Sequence, residues 1–395
     1  MVRRRGLMAV SVAATAILAA ACSSGGGAGG GGGGGSSSQS KGPIQLGLIA
    51  GLTGPSSAWS VPYKNGAELA VKDINAKGGI NGRKVVLITE DNQSSPETSV
   101  TNATTLMGSD HVSFIVCSCD SGQFLPIISR VAQANSGKSG GQTVVSNGVA
   151  GTTKILNLPP VYISTFPLDG TLAKTLAQQA WNMGLRRAYV LSQSDAYGQD
   201  MYTQLQDAWK GLGGTISGAT VVNPNLPNYT SVMQQVKGAN PQVIFTGTYG
   251  PDALLQFREI TQMGNKAPWF LLYHETAAFN TITGSDNRAY GLDPAWLGDK
   301  DASWVSHFKS VYGHAPGLFD AQGFDTTWLA ALAVAKAGSN TSVDSIKKAY
   351  VQVANSYSGP TGKFEFNAQY ARVNAPVSWY AVKGGQWIAL PGAPS

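Results

Sequence analysis

The sequence predicts an α/β protein with two lobes, and two observations support this prediction. Short apolar segments alternate with segments of helical periodicity, first over residues 44–118 and again over residues 188–274. Strands that alternate with helices form parallel sheets with crossover helices. The roughly 350 residues after the N-terminal region also exceed what one ordinary core accommodates, which favours two lobes.

The first series begins with the apolar segment IQLGLIA at 44–50, which predicts a strand. A helix is predicted next, because four apolar residues recur at i, i+3, i+4 and i+7: Ala67, Ala70, Val71 and Ile74. The following segments predict a strand at 84–90, a helix at about 96–107 and a strand at 112–118.

The second series repeats this alternation. It predicts strands at 188–193, 215–222, 242–248 and 269–274, with helices that begin near Gly198, Tyr229 and Pro251. Turn-like segments at 53–55, 194–195 and 248–251 come directly after predicted strands. Open α/β sheets bind ligands at the carboxyl ends of their strands, so these segments are candidates for a binding site.

The N-terminus has the organisation of a bacterial lipoprotein signal peptide. Three arginines precede a run of 16 uncharged residues, which ends in three alanines directly before Cys22. This run is shorter than the roughly 20 residues that a membrane-spanning helix needs. The sequence therefore predicts a signal peptide over 1–21, then a lipidated Cys22 and a flexible Gly/Ser tether over 22–42. An ordinary signal peptide followed by an unrelated cysteine is the alternative.

Composition argues against a nucleic-acid partner and leaves the two other cysteines open. Three of the 28 basic residues lie in the predicted signal peptide, so the mature chain has 25 basic and 22 acidic residues. Its sequence has no cluster of basic residues interleaved with aromatic residues, which nucleic-acid binding favours. Cys117 and Cys119 would lie about 6.6 Å apart on one face of a strand, near the upper limit for a disulfide. Two packed thiols are the favoured interpretation, and a disulfide is the alternative.

Enzyme and metal-binding motifs begin at several places but are not completed. Ile49 replaces the second glycine of a dinucleotide fingerprint, Ala132 the first glycine of a phosphate loop, and Ala278 the second histidine of a zinc motif. The sequence also lacks a G-x-S-x-G nucleophile motif, and its four histidines lack ligand spacing. We therefore expect no enzyme activity, no catalytic residue, no cofactor and no metal site.

Five segments carry a resemblance to a known family: residues 47–107, DSGQFLPII, SQSDAYGQD, TGTYGPDALLQFREITQMG and SGPTGKFEFN. They resemble the leucine/isoleucine/valine-binding family of solute-binding proteins, which deliver ligands to ABC importers. The resemblance implies the type I periplasmic binding protein fold, in which two Rossmann-like lobes with parallel sheets are joined by three hinge crossovers. It further implies a first lobe of residues 43–163 plus 293–356 and a second lobe of residues 164–292 plus 357–395.

The resemblance also implies ligand contacts from the start of a helix in the first lobe. Ser121 and Gly122 occupy a family position at which a hydroxyl and free N–H groups suit a ligand carboxylate. A plain helix-capping serine is the alternative. The preceding residue, Asp120, departs from the family pattern, in which this position is often uncharged. A carboxylate there could repel a ligand carboxylate or receive a cation.

A second family contact is a loop of small residues, which is SNGVAG in this chain. Ala150 takes the position of a family hydroxyl, so one expected ligand contact is missing. Asn147 and Gly148 could still offer backbone donors. This departure argues against a simple transfer of leucine-like specificity.

Aromatic and acidic residues complete the site that the resemblance implies. Trp59 takes the position of an aromatic residue near the rim of the cleft, although a surface tryptophan is the alternative. Tyr197 and Tyr249 correspond to tyrosines that line the cleft, with core packing as the alternative. Glu275 corresponds to the acid that meets the amino group of the ligand, with a solvated surface glutamate as the alternative.

These features together predict an extracytoplasmic, lipid-anchored solute-binding protein. We expect a monomer that captures a small polar solute, such as a branched-chain or related amino acid, and delivers it to the permease of an ABC importer. The same fold could instead bind an amide, urea or aromatic acid, or serve a sensory receptor.

Overall fold

The computed structural model describes residues 42–273, 278–294, 296–297, 301–339 and 341–390. By its contacts the chain divides into Met1–Ser40 and Lys41–Ser395, and every described residue belongs to the second unit. The predicted signal peptide and Cys22 lie outside the described residues, and so does Glu275. None of the described helices has both the length and the apolar character that crossing a bilayer requires.

Five parallel strands form the first sheet, in the order β2-β1-β3-β4-β5. They are β1 Ile44–Ala50, β2 Val85–Asp91, β3 Phe114–Ser118, β4 Val144–Asn147 and β5 Tyr162–Ser164. The helices that follow the first three strands are α1 Ser57–Ala76, α2 Pro96–Gly108 and α3 Ser121–Asn135. Strands β3, β4 and β5 are buried along their whole length, as expected for a parallel sheet that is covered on both faces. We call this sheet and its helices the first lobe.

Seven strands form the second sheet, in the order β14-β13-β10-β9-β8-β6-β7. They are β6 Arg187–Gln193, β7 Thr215–Val222, β8 Val243–Gly247, β9 Trp269–Leu272, β10 Ala289–Pro294, β13 Val377–Lys383 and β14 Gln386–Ala389. Its helices are α4 Asp169–Asn182, α5 Ala196–Gly211, α6 Thr230–Gly238 and α7 Gly250–Gln262. We call this sheet and its helices the second lobe.

The chain passes between the two sheets three times. It leaves the first sheet after β5 and leaves the second sheet after β10. It then forms α8 Ala302–Tyr312, α9 Leu318–Ala337 and α10 Val343–Ala354 on the first lobe. A short antiparallel pair, β11 Ser358–Gly359 with β12 Gly362–Lys363, precedes the return to β13. The predicted α/β class with parallel-strand cores is confirmed, and β13 and β14 add an antiparallel edge to the second sheet.

Helices α1 and α9 pack unusually closely in the first lobe because two glycines lie at their contact. A Cβ atom on Gly66 would overlap the carbonyl oxygen of Asp320, and one on Gly323 would overlap the carbonyl oxygen of Tyr63. Only glycine permits such an approach of backbone to backbone.

The cysteine pair corrects the interpretation that the sequence favoured. The structure joins Cys117 and Cys119 in a disulfide, and both residues are fully buried. Their Cα atoms are 5.2 Å apart, less than the spacing of about 6.6 Å on an extended strand. The reason is that β3 ends at Ser118, so the chain has left the extended conformation where Cys119 begins. The expectation of two packed thiols is therefore wrong.

Candidate ligand-binding site

A cavity of about 70 Å³ lies between the two lobes, where the chain segments after several strands meet. Most of the residues that line it fall into two walls. The first-lobe wall consists of Asp120, Ser121, Val149, Ala150 and Gly151. The second-lobe wall consists of Tyr197, Tyr249, Gly250, Pro251 and Tyr273. The starts of α1 and α9 add Pro55, Ala58, Trp59 and Phe319.

Four of the residues predicted from the sequence line this cavity together: Trp59, Ser121, Tyr197 and Tyr249. Ser121, Tyr197 and Trp59 are nearly buried, with 1 %, 4 % and 7 % of their surfaces exposed. Gly122 does not line the cavity, although it follows Ser121 directly. The position of Glu275 relative to the cavity is not described.

Aromatic rings dominate the second-lobe wall and reach across to the first lobe. Tyr197 and Tyr249 are stacked, with ring centroids 5.0 Å apart. The ring centroid of Trp59 in α1 lies 5.4 Å from that of Tyr249, so this contact joins the two lobes. Tyr273 continues the aromatic surface, 6.4 Å from Tyr197. Burial raises the pKa of all three tyrosines well above the ordinary value, so their hydroxyls stay neutral at physiological pH.

Asp120 caps the N-terminus of α3 and also faces the cavity. Its Oδ1 accepts the backbone N–H of Gln123 at 2.9 Å, and its Oδ2 accepts the side-chain amide of Gln123 at 2.7 Å. The carboxylate thus takes N–H groups, those of Gln123 and Gly122, that a helix start would otherwise offer to an anion. Burial, reinforced by the nearby charge of Asp195, raises the pKa of Asp120 to about 6, against the lowering effect of the Gln123 and Gly122 N–H groups.

Asp195 makes the equivalent cap at the N-terminus of α5 in the second lobe. Its Oδ1 accepts the N–H of Gly198 at 2.8 Å, and the side-chain amide of Gln193 donates to its Oδ2. The Oε1 of Gln193 accepts the backbone N–H of Tyr249 at 3.0 Å, which fixes the loop that carries this ring. Asp195 itself does not line the cavity.

The loop after β4 forms the rest of the first-lobe wall, and two of its N–H groups are also taken. The Oδ1 of Asn147 accepts the N–H groups of Val149 at 2.6 Å and Ala150 at 3.0 Å. Its amide donates to the carbonyl of Cys119 at 2.9 Å, which ties the loop to the end of β3. Asn147 and Gly148 therefore lie behind the wall rather than in it, since neither lines the cavity.

The fold and cavity can be compared with known proteins. A model of the periplasmic binding protein family matches residues 43–386, which is most of the chain. The chain belongs to this family. Its members are extracytoplasmic proteins that bind small solutes, and the fold is that of the type I periplasmic binding proteins.

Relatives of this periplasmic binding protein include the Leu/Ile/Val-binding protein BraC3 of Rhizobium johnstonii. The two are 27 % identical over 314 residues, which cover 75 % of this chain and 78 % of BraC3. The resemblance to the leucine/isoleucine/valine-binding family that the sequence showed is thereby confirmed.

Solved structures share the fold at lower identity. A leucine-binding protein LivK from Thermotoga maritima has a TM-score of 0.76 at 17 % identity, covering 88 % of this chain and 97 % of that chain. A leucine-, isoleucine-, valine-, threonine- and alanine-binding protein from Brucella ovis, in a closed conformation, has a TM-score of 0.77 at 19 % identity. That match covers 89 % of this chain and 94 % of the Brucella protein.

A buried acid lies directly behind the cavity wall of this binding protein. Asp169, at the start of α4, is fully buried and lies beside Asp200. A Cβ atom on Gly151 would overlap its Oδ1, so the two residues are in contact. Burial, with the neighbouring charges of Asp200 and Asp195, raises the pKa of Asp169 well above its ordinary value.

The cavity of this binding protein is acidic in character. Among the described residues that line it, none is lysine, arginine or histidine, whereas Asp120 lines it directly. The described part of the chain contains no group of three or more His, Cys, Asp or Glu residues that could hold a metal ion. The arrangement suits binding by aromatic faces and carboxylates.

Tyr273 and Phe319 were not predicted as site residues, yet both line the cavity of this binding protein. Gly151, the last residue of the predicted SNGVAG loop, lines it as well. Tyr273 was assigned to a strand, but β9 ends at Leu272 and Tyr273 has a left-handed backbone with φ of 61°. The rule that ligands bind after the carboxyl ends of strands would have pointed to it. Phe319 comes from α9, far along the chain, and the sequence carries no comparable signal for it.

Proposed function

We propose that this protein captures a small polar solute between its two lobes and delivers it to the permease of an ABC importer. The observation that carries the proposal is the cavity that both lobes line, with the rings of Trp59 and Tyr249 in contact across it. Branched-chain and related amino acids are the first class to test, because relatives are named for Leu, Ile and Val. A structure of similar fold, from Streptococcus pneumoniae, is described as a complex with isoleucine.

Closure of the lobes is the step that this binding function requires. A solute that touches both walls stabilises the closed state by contacts that the open state lacks. We assign Ser121 to the first-lobe end of the solute, and Tyr197 and Tyr249 to the cover that closes over it. Glu275 is assigned to a positive group of the solute. The protein makes and breaks no bond, so it releases the solute unchanged and is not an enzyme.

The moving bodies and their attachment are also part of the proposal. The two bodies are residues 43–163 plus 293–356 and residues 164–292 plus 357–395. Cys22 carries the lipid, and the Gly/Ser-rich residues that follow it link the lipid to the two bodies. Changing Cys22 to alanine should release the protein from the membrane fraction while leaving solute binding intact.

A thermal-shift screen of the full chain tests the proposed binding function. A panel of amino acids, amides, aromatic acids and amines is added, and a bound solute raises the melting temperature because it binds only the folded state. Mass spectrometry of the recovered solute should show it unchanged. The proposal fails if no panel member raises the melting temperature, or if the recovered solute is chemically altered.

A pair of tryptophan variants makes the screen specific for the cavity. Trp59→Ala should abolish the solute-dependent rise, because Trp59 lines the cavity. Trp181→Ala removes a second-lobe tryptophan that packs on Trp209, away from the cavity lining. This control should lower the melting temperature of the free protein but keep the solute-dependent rise.

A further inference from the structure

At the first-lobe end of the cavity, side-chain oxygens accept the backbone N–H groups of Gln123, Val149 and Ala150, and the partly buried carboxylate of Asp120 lines the cavity. We propose that the solute presents a positively charged nitrogen to Asp120 and carries no carboxylate at this end, as an alkylamine or arylalkylamine does. The inference rests on the proposed function and deepens it, because it names the class of solute that the same cavity takes.

The N-terminus of α3 is the first place where a solute carboxylate would need donors. Asp120 already accepts the backbone N–H and the side-chain amide of Gln123. A second carboxylate at this helix start would find those donors taken and would lie beside the negative charge of Asp120. Like charges in a water-poor site repel strongly, so an anionic group is disfavoured here.

The loop after β4 is the second place where a solute carboxylate would need N–H donors, and two of its donors are also occupied. Asn147 uses its Oδ1 to accept the N–H groups of Val149 and Ala150, and Ala150 has no hydroxyl to add. In the second lobe, Asp195 takes the N–H of Gly198 at the start of α5. A solute carboxylate would thus find the N–H groups of Gln123, Val149, Ala150 and Gly198 already satisfied by the protein's own oxygens.

A cation would find the opposite situation in the same cavity. Asp120 keeps part of its surface accessible and lines the cavity, so a carboxylate oxygen can receive an N–H donor from the solute. The rings of Trp59, Tyr197 and Tyr249 line the same space, and aromatic rings attract ammonium groups. No basic residue is present among the described lining residues to compete.

Asp169 places a second acidic group next to the cavity. It is fully buried directly behind Gly151 and lies beside Asp200. Burial and the neighbouring acids raise the pKa of Asp169, which favours its neutral form. A cation in the adjacent cavity would favour its ionisation, whereas an anion would oppose it.

The charge state of Asp120 agrees with this geometry. The groups that face it are the Gln123 and Gly122 N–H groups of α3 and, from the second lobe, Asp195 and Tyr249. Burial, with the charge of Asp195, raises the pKa of Asp120 to about 6, so the carboxylate is ionised at pH 8 without a solute. Affinity for an amine should therefore fall when the pH is lowered through 6.

Calorimetric titration of the full chain at pH 8 tests the inference with two sets of matched solutes. The first set is L-leucine, isoamylamine and 4-methylpentanoate, and the second is L-phenylalanine, 2-phenylethylamine and 3-phenylpropanoate. Within a set, the side chain is constant while the amine or the carboxylate is removed. We expect at least one amine to bind at least tenfold more tightly than its parent amino acid, and neither acid to bind measurably.

Two matched variants separate the charge of Asp120 from its capping role. Asp120→Asn keeps an oxygen that can cap α3, since asparagine caps helices as well as aspartate does. This variant should lose at least tenfold in affinity for the amine. Asp301→Asn makes the same change at the cap of α8, away from the cavity lining, and should lose less than threefold.

The outcomes distinguish failure of the inference from failure of the proposed function. If an amino acid or an acid binds more tightly than its amine, the inference is wrong and the binding function stands. An unchanged amine affinity in Asp120→Asn would also overturn the inference. If neither amine binds, the inference is wrong, and the wider thermal-shift panel then decides whether the binding function survives.

Discussion

The two helix starts that meet near the cavity are built alike. In the first lobe, Asp120 caps α3 and receives a side-chain amide from Gln123. In the second lobe, Asp195 caps α5 and receives a side-chain amide from Gln193. Each aspartate follows the end of a parallel strand. A helix start at the carboxyl edge of a sheet is a natural anion site, and this protein fills it with its own carboxylate in both lobes.

The residues around these caps differ, and the difference separates two tasks. The first-lobe wall presents small residues, Ser121, Ala150 and Gly151, beside the carboxylate of Asp120. The second-lobe wall presents the rings of Tyr197 and Tyr249. Changes in the first wall should therefore alter which charge the cavity accepts. Changes in the second wall should alter how tightly any solute is held.

Within the two walls, the largest effect is expected from Tyr249→Ala in the second-lobe wall. The change removes the stacking with Tyr197 and the only ring of this wall that contacts Trp59 among the described aromatic pairs. We expect about a 100-fold loss of affinity, or about 3 kcal/mol, for amines and amino acids alike. Calorimetry with the tightest member of the solute panel measures the loss.

Tyr249→Phe is the matched control, because it keeps the ring and removes only the hydroxyl. Its affinity should stay within about threefold of the original, since the face of the ring makes the contact. If Tyr249→Ala changed the ratio between amine and amino acid instead of lowering both affinities, the proposed division between the two walls would be wrong.

Gly151→Ala should produce the next largest effect, and it acts on the first-lobe wall. A Cβ atom there would overlap Oδ1 of Asp169 and would lie 2.7 Å from the carbonyl oxygen of Pro167. The loop must shift to relieve this overlap, which should lower the free energy of unfolding by about 2 kcal/mol. Urea denaturation without solute measures this change.

Gly211→Ala is the control for the glycine prediction. Gly211 ends α5 and has no neighbouring atom within 4 Å of the added Cβ. Its stability should be unchanged or raised by about 0.5 kcal/mol, because alanine favours a helix more than glycine does. Equal stabilities of the two variants would show that the contact between Gly151 and Asp169 does not restrict the size of the residue at position 151.

Asp120→Asn should have a smaller effect on stability, and its sign opposes the effect on binding. The pKa of Asp120 is about 6 in the folded protein, above its ordinary value of 3.8, so the folded state holds the proton more tightly. The charged carboxylate therefore destabilises the free protein above pH 6, and this cost disappears as the pH falls towards 4. Removing the charge should stabilise the free protein at pH 8 by about 1–2 kcal/mol.

Urea denaturation at pH 8 and pH 4 checks this prediction. Only the difference between the variant and the original protein is interpreted, because other buried acids such as Asp169 and Asp325 also have raised pKa values. A variant that is less stable at pH 8, or equally stabilised at both pH values, would show that burial of the charge carries no cost.

The fold was largely predictable from the sequence, and the errors in the predicted element boundaries have local causes. The apolar segments at 44–50 and 215–222 match β1 and β7 residue for residue, because turn-forming residues flank both. Helix α1 begins at Ser57, well before Ala67, because Trp59, Ser60 and Tyr63 are buried as well. The periodicity that predicted this helix described only its second half.

Site residues were predictable where they belong to a short sequence motif. They were not predictable where the conformation of the loop determines which groups form hydrogen bonds. Ser121 and Tyr197 follow strands within short segments that resemble a family, and both line the cavity. Asn147 was named for its backbone, yet its side chain is what matters, because it occupies the N–H groups of Val149 and Ala150. Which donors an amide reaches depends on the turn of the loop, and no residue pattern reports that.

Reduction of the disulfide should have the smallest effect on stability, and the disulfide is a further difference between the two lobes. Cys117 and Cys119 precede the cap of α3, whereas Ser192 and Ser194 stand at the corresponding places before the cap of α5. The loop that the bridge closes is very short, so little chain entropy is removed from the unfolded state. Reduction should therefore lower the free energy of unfolding by about 1 kcal/mol.

Denaturation with and without reductant measures this loss, and the variant Cys117→Ser/Cys119→Ser is the matched control because reductant should not affect it. The carbonyl of Cys119 accepts the amide of Asn147, so the bridge stiffens the segment that joins Asp120 to the loop of the first-lobe wall. Amine affinity should consequently fall by about twofold on reduction, a loss that corresponds to about 0.4 kcal/mol. A loss as large as that of Asp120→Asn would mean that the bridge, rather than the carboxylate, determines which solute the first lobe accepts.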